Sequence, residues 1–214
     1  MIYTIFNWFV KITGYIPQKL IFRMKVHYED KAVQGRHIRS KAIVVSNHNH
    51  LFDFAVLLFA FPTRTLRCAV AEITYDKNIF MKLFLKLVGC IRVERESYDF
   101  SFLEKMKKIL KRGGVVEIYP EARLPRKGEP TPLEFKPSFV YLALESGAPI
   151  IPVYSNAQIF GKNRERIVIG KPIDAAALYD STLCEKENIK NITLYVRSKI
   201  IELGKKLEEE CKEK

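Results

Sequence analysis

The chain is short of the residues that most often announce an enzyme's chemistry. Its four cysteines, Cys68, Cys90, Cys184 and Cys211, lie far apart and form neither a metal-ligand nor a redox spacing. They read as ordinary reduced thiols of a cytosolic protein. No Gly-x-Ser-x-Gly stretch occurs, which argues against an acyl-enzyme formed on a strained serine turn. Internal repeats and low-complexity blocks are missing. The N-terminus has no positive start and no small-residue cleavage site, so no secretory signal pattern is present. No uninterrupted apolar run reaches the roughly 20 residues of a membrane-spanning helix. Only four histidines occur, and none follows residue 50.

What is present fits one domain with an N-terminal appendage. At 214 residues, 48% hydrophobic and 28% charged, the chain can bury a sizeable core. Its net charge of +12 favours an anionic partner such as a membrane surface or a phosphorylated ligand. The basic residues are dispersed rather than gathered in a tail, which weighs against nucleic acid. The opening stretch, MIYTIFNWFVKITGYIPQKLIF, mixes Tyr3, Phe6, Trp8, Phe9 and Tyr15 with Lys11 and Lys19. That composition suits a segment lying in a membrane interface. A helix packed on the domain's own core is the plainer alternative. The division expected is an interfacial helical segment over 1–30 and a folded domain over 31–214.

Along the domain, short apolar runs alternate with helical spacings. Strands are predicted at 42–45, 68–73, 90–95, 115–120 and over the two runs APIIPVYSN and RIVIGKPI. Helices are predicted at 54–60, 78–88, 99–112 and 137–147, with a last one from about Ile189. This alternation predicts an α/β fold: a mostly parallel sheet covered by helices, preceded by the N-terminal interfacial helical segment.

Half of the histidines sit at one junction. In AIVVSNHNHLFDFAVL (42–57), His48, His50 and Asp53 fall between a strand-like and a helix-like run. The carboxyl end of a strand is where ligands usually bind in such folds. On one continuous helix His48 and Asp53 would point about 140° apart. They meet only if His48 lies in the loop and Asp53 in the first helical turn. There the carboxylate can hold the Nδ1 proton of His48 and leave Nε2 free to act as a base. A bare H-x4-D is otherwise no more than a helix start with a polar neighbour. The alternative metal-binding reading of HNH lacks further histidine ligands downstream. His50 reads as a neighbour within the turn, and Cys90 as strand packing.

The stretch SNHNHLFD resembles the N-H-x4-D block of the glycerolipid acyltransferase family, which includes the 1-acylglycerol-3-phosphate acyltransferases. Three further blocks follow in that family's order. GCIRVER (89–95) is similar to its G-x-I-x-V-x-R block, VVEIYPEARLPRKGE (115–129) to its F-P-E-G-T-R-S block, and APIIPV (148–153) to its apolar-proline block. EFKPS (134–138) resembles a phenylalanine-lysine stretch between the last two. The third block departs from the pattern: the usual glycine is Ala122, the usual threonine Arg123, the usual arginine Leu124 and the usual serine Pro125.

The resemblance implies transfer of a fatty acyl chain from an acyl thioester, carried by coenzyme A or acyl-carrier protein, to a lysophospholipid-like hydroxyl. 1-Acylglycerol-3-phosphate is the first acceptor to consider. His48 is then the general base and Asp53 its orienting partner. Arg95, with Arg123 or Arg126 in place of the displaced arginine, is expected to clamp a phosphate. Glu121 is expected to pair with one of these arginines or with a substrate hydroxyl. Exposed surface charge is the ordinary reading of all three arginines. Neither metal nor cofactor is implied. The expected partners are the thioester donor, the lysophospholipid acceptor and an anionic membrane surface, without nucleic acid. The expected place is the cytoplasmic face of a membrane, as a peripheral or monotopic protein. The rival is a non-catalytic phosphate- or membrane-binding module, for which the histidine and aspartate would be superfluous. Nothing in the blocks sets an oligomeric state.

Overall fold

Apolar β-branched runs and amphipathic stretches assemble here into seven strands and eight α-helices among the described residues. The structure, a computed structural model, describes residues 2–94, 101–159 and 164–212. The strands are β1 (Lys25–Tyr28), β2 (Ala42–Ser46), β3 (Leu66–Ala71), β4 (Ile91–Val93), β5 (Val115–Ile118), β6 (Ile150–Ser155) and β7 (Arg166–Ile169). The helices are α1 (Ile2–Thr13), α2 (Tyr15–Ile21), α3 (Asp53–Ala60), α4 (Glu72–Tyr75), α5 (Ile79–Val88), α6 (Ser101–Lys111), α7 (Ser138–Ser146) and α8 (Glu185–Lys212).

The strands form one sheet in the order β1-β7-β6-β2-β5-β3-β4. Pairing is parallel except between β6 and β7. The expected mostly parallel α/β sheet is therefore present, with the N-terminal helices preceding it.

Strand β2 is central and buried along its whole length. Its side chains alternate between two cores, as a period of two requires. Ile43 and Val45 face the core that Met106 of α6, Phe139 of α7 and Val196 of α8 close. Ala42 and Val44 face the core that Val56 and Leu57 of α3 close. Burial on both faces explains why the β2 run carries no polar alternation until its last residue. From β2 the chain crosses to β3 on one side, while β6 lies on the other. The carboxyl end of β2 is thus a topological switch point, the crevice where α/β sheets bind ligands.

Several strands are shorter than expected, among them β5, which ends at Ile118, and β7, which ends at Ile169. The strand predicted at 68–73 ends at Ala71, level with the last residue of β4, and Glu72 opens α4. Helix α8 begins at Glu185 rather than Ile189. Its first turn is polar and invisible to an apolar period, yet Glu185 and Glu187 suit the positive end of a helix. The helix predicted before Gly89 ends there, with Gly89 in the left-handed conformation at φ 91° and its amide returned to Leu85.

Helices α1 and α2 reverse the usual polarity. Asn7, Lys11 and Gln18 are buried, while Ile12, Ile16 and Leu20 are 71%, 68% and 73% exposed. Lys11 Nζ donates to the carbonyls of Phe61 and Arg64, at 2.8 and 2.5 Å, and so caps the end of α3. Phe6 packs edge-on against Phe84 of α5 at 6.2 Å.

Candidate active site

The turn after β2 is wound around one carboxylate. Asp53 is the first residue of α3 and is 1% exposed. Its Oδ2 accepts the backbone amides of Asn49 and His50, both at 2.8 Å. The same oxygen lies 3.0 Å from His48 Nδ1. A carboxylate only accepts, so Nδ1 carries the proton and donates, which leaves the Nε2 lone pair outward. The chain turn that the sequence required between His48 and Asp53 is present, with His48 in the loop.

Neighbouring strands hold this turn in place. Asn47 extends β2 by side chain rather than backbone: its Nδ2 donates to Ser155 O, and its Oδ1 accepts from Ser155 N, both at 2.8 Å. That locks the turn to the end of β6. From the end of β5, Glu121 uses one oxygen on the His48 amide at 2.8 Å and the other on the Leu133 amide at 2.7 Å. Glu121 is thereby committed to backbone. Burial lifts its carboxyl above the ordinary range, against the pull of those two amides. The Tyr119 ring stacks on His48, with centroids 4.5 Å apart and planes at 30°. His50 turns the other way, accepting the Phe52 amide at Nδ1.

Beneath this layer lies a carboxyl that sequence reasoning did not single out. Glu117, 1% exposed, accepts the Tyr119 hydroxyl at 2.5 Å. Burial, aided by the charge of Asp53, pushes it up to about 8; the Tyr119 bond and Lys11 oppose the shift. Lys11 is lowered to about 8 by its own burial. The signal was legible as an acid inside the apolar run VVEIY. Cys90, also buried, is pushed up to about 12, which suits packing and not nucleophilic attack.

The expected phosphate-binding residues fare differently. Arg123 forms a two-pronged pair with Glu129, at 2.8 and 2.6 Å, so its fork is occupied. Arg126 uses its backbone amide on the same Glu129, and its exposed side chain makes no hydrogen bond with a described residue. Arg95 lies outside the described residues. Ala122, where the resembling block has glycine, adopts φ 60°, the left-handed region.

A strand-end histidine with Nδ1 held by a buried carboxylate is an arrangement that can take a proton at Nε2. The family profile described as Acyltransferase matches residues 23–156, and the chain belongs to the acyltransferase family. It is similar to the 1-acyl-sn-glycerol-3-phosphate acyltransferase of Bacillus subtilis, 30% identical over 138 residues, which are 62% of this chain and 66% of that one. It is also similar to the human 1-acyl-sn-glycerol-3-phosphate acyltransferase beta, 26% identical over 165 residues, 76% of this chain and 56% of that one. The chain thus spans between about half and two thirds of the length of these curated relatives. Its fold is similar to the crystal structure of the 1-acyl-sn-glycerophosphate (LPA) acyltransferase PlsC from Thermotoga maritima. The TM-score is 0.67 at 20% identity, over 92% of this chain and 79% of that one.

Two outcomes test the local physics. Glu117 has a folded-state pKa raised above its unfolded value, so its contribution is full below about 4.5 and is lost as pH rises toward 8. Glu117→Gln should therefore flatten the fall in Tm between pH 5 and 8; an unchanged slope in thermal melts would show that the carboxyl is not strained. Ala122→Gly should raise stability by about 0.5–1 kcal/mol in denaturant titration, because a left-handed alanine costs about 1–2 kcal/mol, partly offset by glycine's unfolded-state entropy.

Proposed function

We propose that the protein transfers a fatty acyl chain from an acyl thioester to the hydroxyl of a lysophospholipid-like acceptor, with 1-acylglycerol-3-phosphate the first candidate, in phospholipid synthesis. The observation that carries the reading is the His48–Asp53 pair, with Nδ1 tied to a buried carboxylate and Nε2 turned outward. An acceptor hydroxyl approaching Nε2 gives up its proton as its oxygen attacks the thioester carbonyl. The C–O bond forms, the C–S bond breaks, and the imidazolium returns the proton to the leaving thiolate. A thiol with a pKa of about 8.5 leaves with little acid assistance, by analogy with cysteine. Asp53 stabilises the transient imidazolium and holds its orientation. Arg126, with Arg95, is the guanidinium proposed to meet the acceptor's phosphate, since Arg123 is already engaged by Glu129.

His48→Ala should abolish turnover across a panel of lyso-acceptors given one acyl thioester, with the fold preserved. Asp53→Asn should lose about 10²–10⁴-fold, the usual worth of a positioned base. His50→Ala should be much milder. Products are read by mass spectrometry, and near wild-type turnover of His48→Ala with any acceptor overturns the assignment.

The same reading puts the protein on an anionic membrane at its cytoplasmic face, bound peripherally or monotopically. No described helix is long and apolar enough to cross a membrane. Support comes from the outward apolar face of α1 and α2 and from Ile79 and Phe80 of neighbouring α5, 71% and 81% exposed. Large exposed apolar surfaces mark interaction sites, and aromatic, lysine-bearing helices suit the interface. Ile12→Glu with Ile16→Glu keeps Lys11 and its cap intact. Sedimentation with anionic vesicles should fall at least tenfold, from the burial worth of two isoleucines. Unaltered sedimentation with an unaltered Tm would rule out this face as the membrane contact.

A further inference from the structure

A second feature lies at the far edge of the sheet. Along β4, between α5 and α6, runs a groove of about 430 Å³, within the roughly 300–1,000 Å³ of small-ligand sites. Lys86 of α5, Lys105 and Lys108 of α6 and Arg112 just after it line the groove, together with Tyr3 and Tyr75. None of these four cations makes an ion pair or side-chain hydrogen bond with a described residue, as their neighbours' pairings illustrate. Arg92 in the same groove is tied to Asp76 and Glu94. Arg67 is bound to the Gly89 carbonyl and lies over the Tyr3 ring at 4.6 Å.

The ordinary explanation is that lysines guard an exposed edge strand against pairing. Helix α6 argues for more. Lys107, on its other side, is matched with Glu104 and Glu145. Lys105, Lys108 and Arg112, spaced three and four apart on the groove side, form no ion pair with an acid among the described residues. Four cations without an ion pair among the described residues line a recess with tyrosines in its wall, which is the chemistry of a multiply phosphorylated aromatic ligand.

We propose that this groove binds the nucleotide end of the acyl donor, the adenosine 3′,5′-bisphosphate portion of coenzyme A. The proposal rests on the acyl-transfer reading and selects coenzyme A over acyl-carrier protein as the donor. Charge matches: a phosphomonoester carries nearly two negative charges, and the diphosphate linkage adds about two more, against four free cations. A phospholipid headgroup would leave most of them unmatched.

Distance matches as well. Ile91 is level with Ala69, and the register carries through Ile118 of β5 to Val45 of β2. His48 lies three strand spacings across and three residues further along, roughly 14 Å and 10 Å, or about 17 Å in all. The pantetheine arm has about thirteen bonds from phosphate to sulfur, roughly 15 Å on the scale of an extended chain. With the diphosphate beside Lys105 at the near end and the 3′-phosphate toward Arg112 at the far end, the extended arm spans most of the way to the His48 side of the sheet.

The test compares two donors with the same acyl chain: acyl-coenzyme A and acyl-pantetheine, which has no nucleotide. Lys105→Gln/Lys108→Gln and, separately, Arg112→Gln alter exposed side chains. Each should raise the KM for acyl-coenzyme A about 10-fold to 100-fold, the worth of a lost charge-assisted contact, and leave kcat/KM for acyl-pantetheine as it was. Calorimetry with adenosine 3′,5′-bisphosphate alone reads the groove without turnover, and its affinity should fall in parallel. Bisphosphate binding by a wild-type protein that transfers from neither donor would sink the acyl-transfer reading and leave the groove standing. The groove assignment is overturned if bisphosphate does not bind, if both donors suffer equally, or if the variants lose only anionic vesicle binding.

Discussion

Everything at the candidate site depends on a single buried oxygen, Asp53 Oδ2. It gathers two backbone amides and one imidazole proton at the start of α3. Two fixed amides and a helix N-terminus compensate a carboxylate that would otherwise be costly at 1% exposure. The converse holds too. Without the carboxylate, the Asn49 and His50 amides would lose their acceptor and the turn its shape. The residue that orients His48 therefore also folds the loop that carries it. Sequence spacing follows from this geometry: four intervening residues are what one chain reversal around a carboxylate occupies.

Surrounding layers repeat the logic of polar groups answered by backbone. Asn47 substitutes for a strand hydrogen bond between β2 and β6, and Glu121 bridges two amides across a loop. Lys11 does the same at the opposite end of α3, where it caps carbonyls. Helix α3 is thus fixed at one end by a carboxylate within its own first turn and at the other by an ammonium from α1. This accounts for the inward course of Lys11 in α1, while Ile12 beside it faces out. One face of α1 packs on α5 through Phe6 and Phe84, and Ile12 lies on the exposed side.

Legibility in the sequence tracked how local the cause was. The β2–α3 junction was readable because a β-branched run, a polar turn and an apolar run follow one another directly. The end of α5 was readable from Gly89. What escaped was set by distant partners. Asn47 looks like any turn asparagine until Ser155, over a hundred residues away, is brought to it. Tyr119 becomes a support for His48 only when β5 lies beside β2. The antiparallel course of β7 had no marker in its own residues, because a strand's direction in the sheet depends on the connection and not on its composition. Arg123 was a candidate for phosphate by proximity, yet its guanidinium is held by Glu129 six residues on. That pairing is local, but nothing in the spacing preferred it over a ligand.

The altered third block shows which part of a motif is shape and which is chemistry. Where the family pattern has glycine, Ala122 still takes φ 60°. The turn after β5 has therefore kept its backbone course despite a side chain that resists it. The reason is Glu121 immediately before it, which must face the His48 and Leu133 amides at once. Those two bonds fix the direction of the chain as it leaves the strand, and Ala122 absorbs the strain. The guanidinium is under no such constraint. With Leu124 in its usual place, positive charge has moved to Arg123 and Arg126, and Glu129 holds one of them out of play. The backbone that holds the histidine turn is thus separable from the side chains of the loop that follows: Leu124 and Pro125 depart from the family pattern while the bond from the His48 amide to Glu121 stays in place.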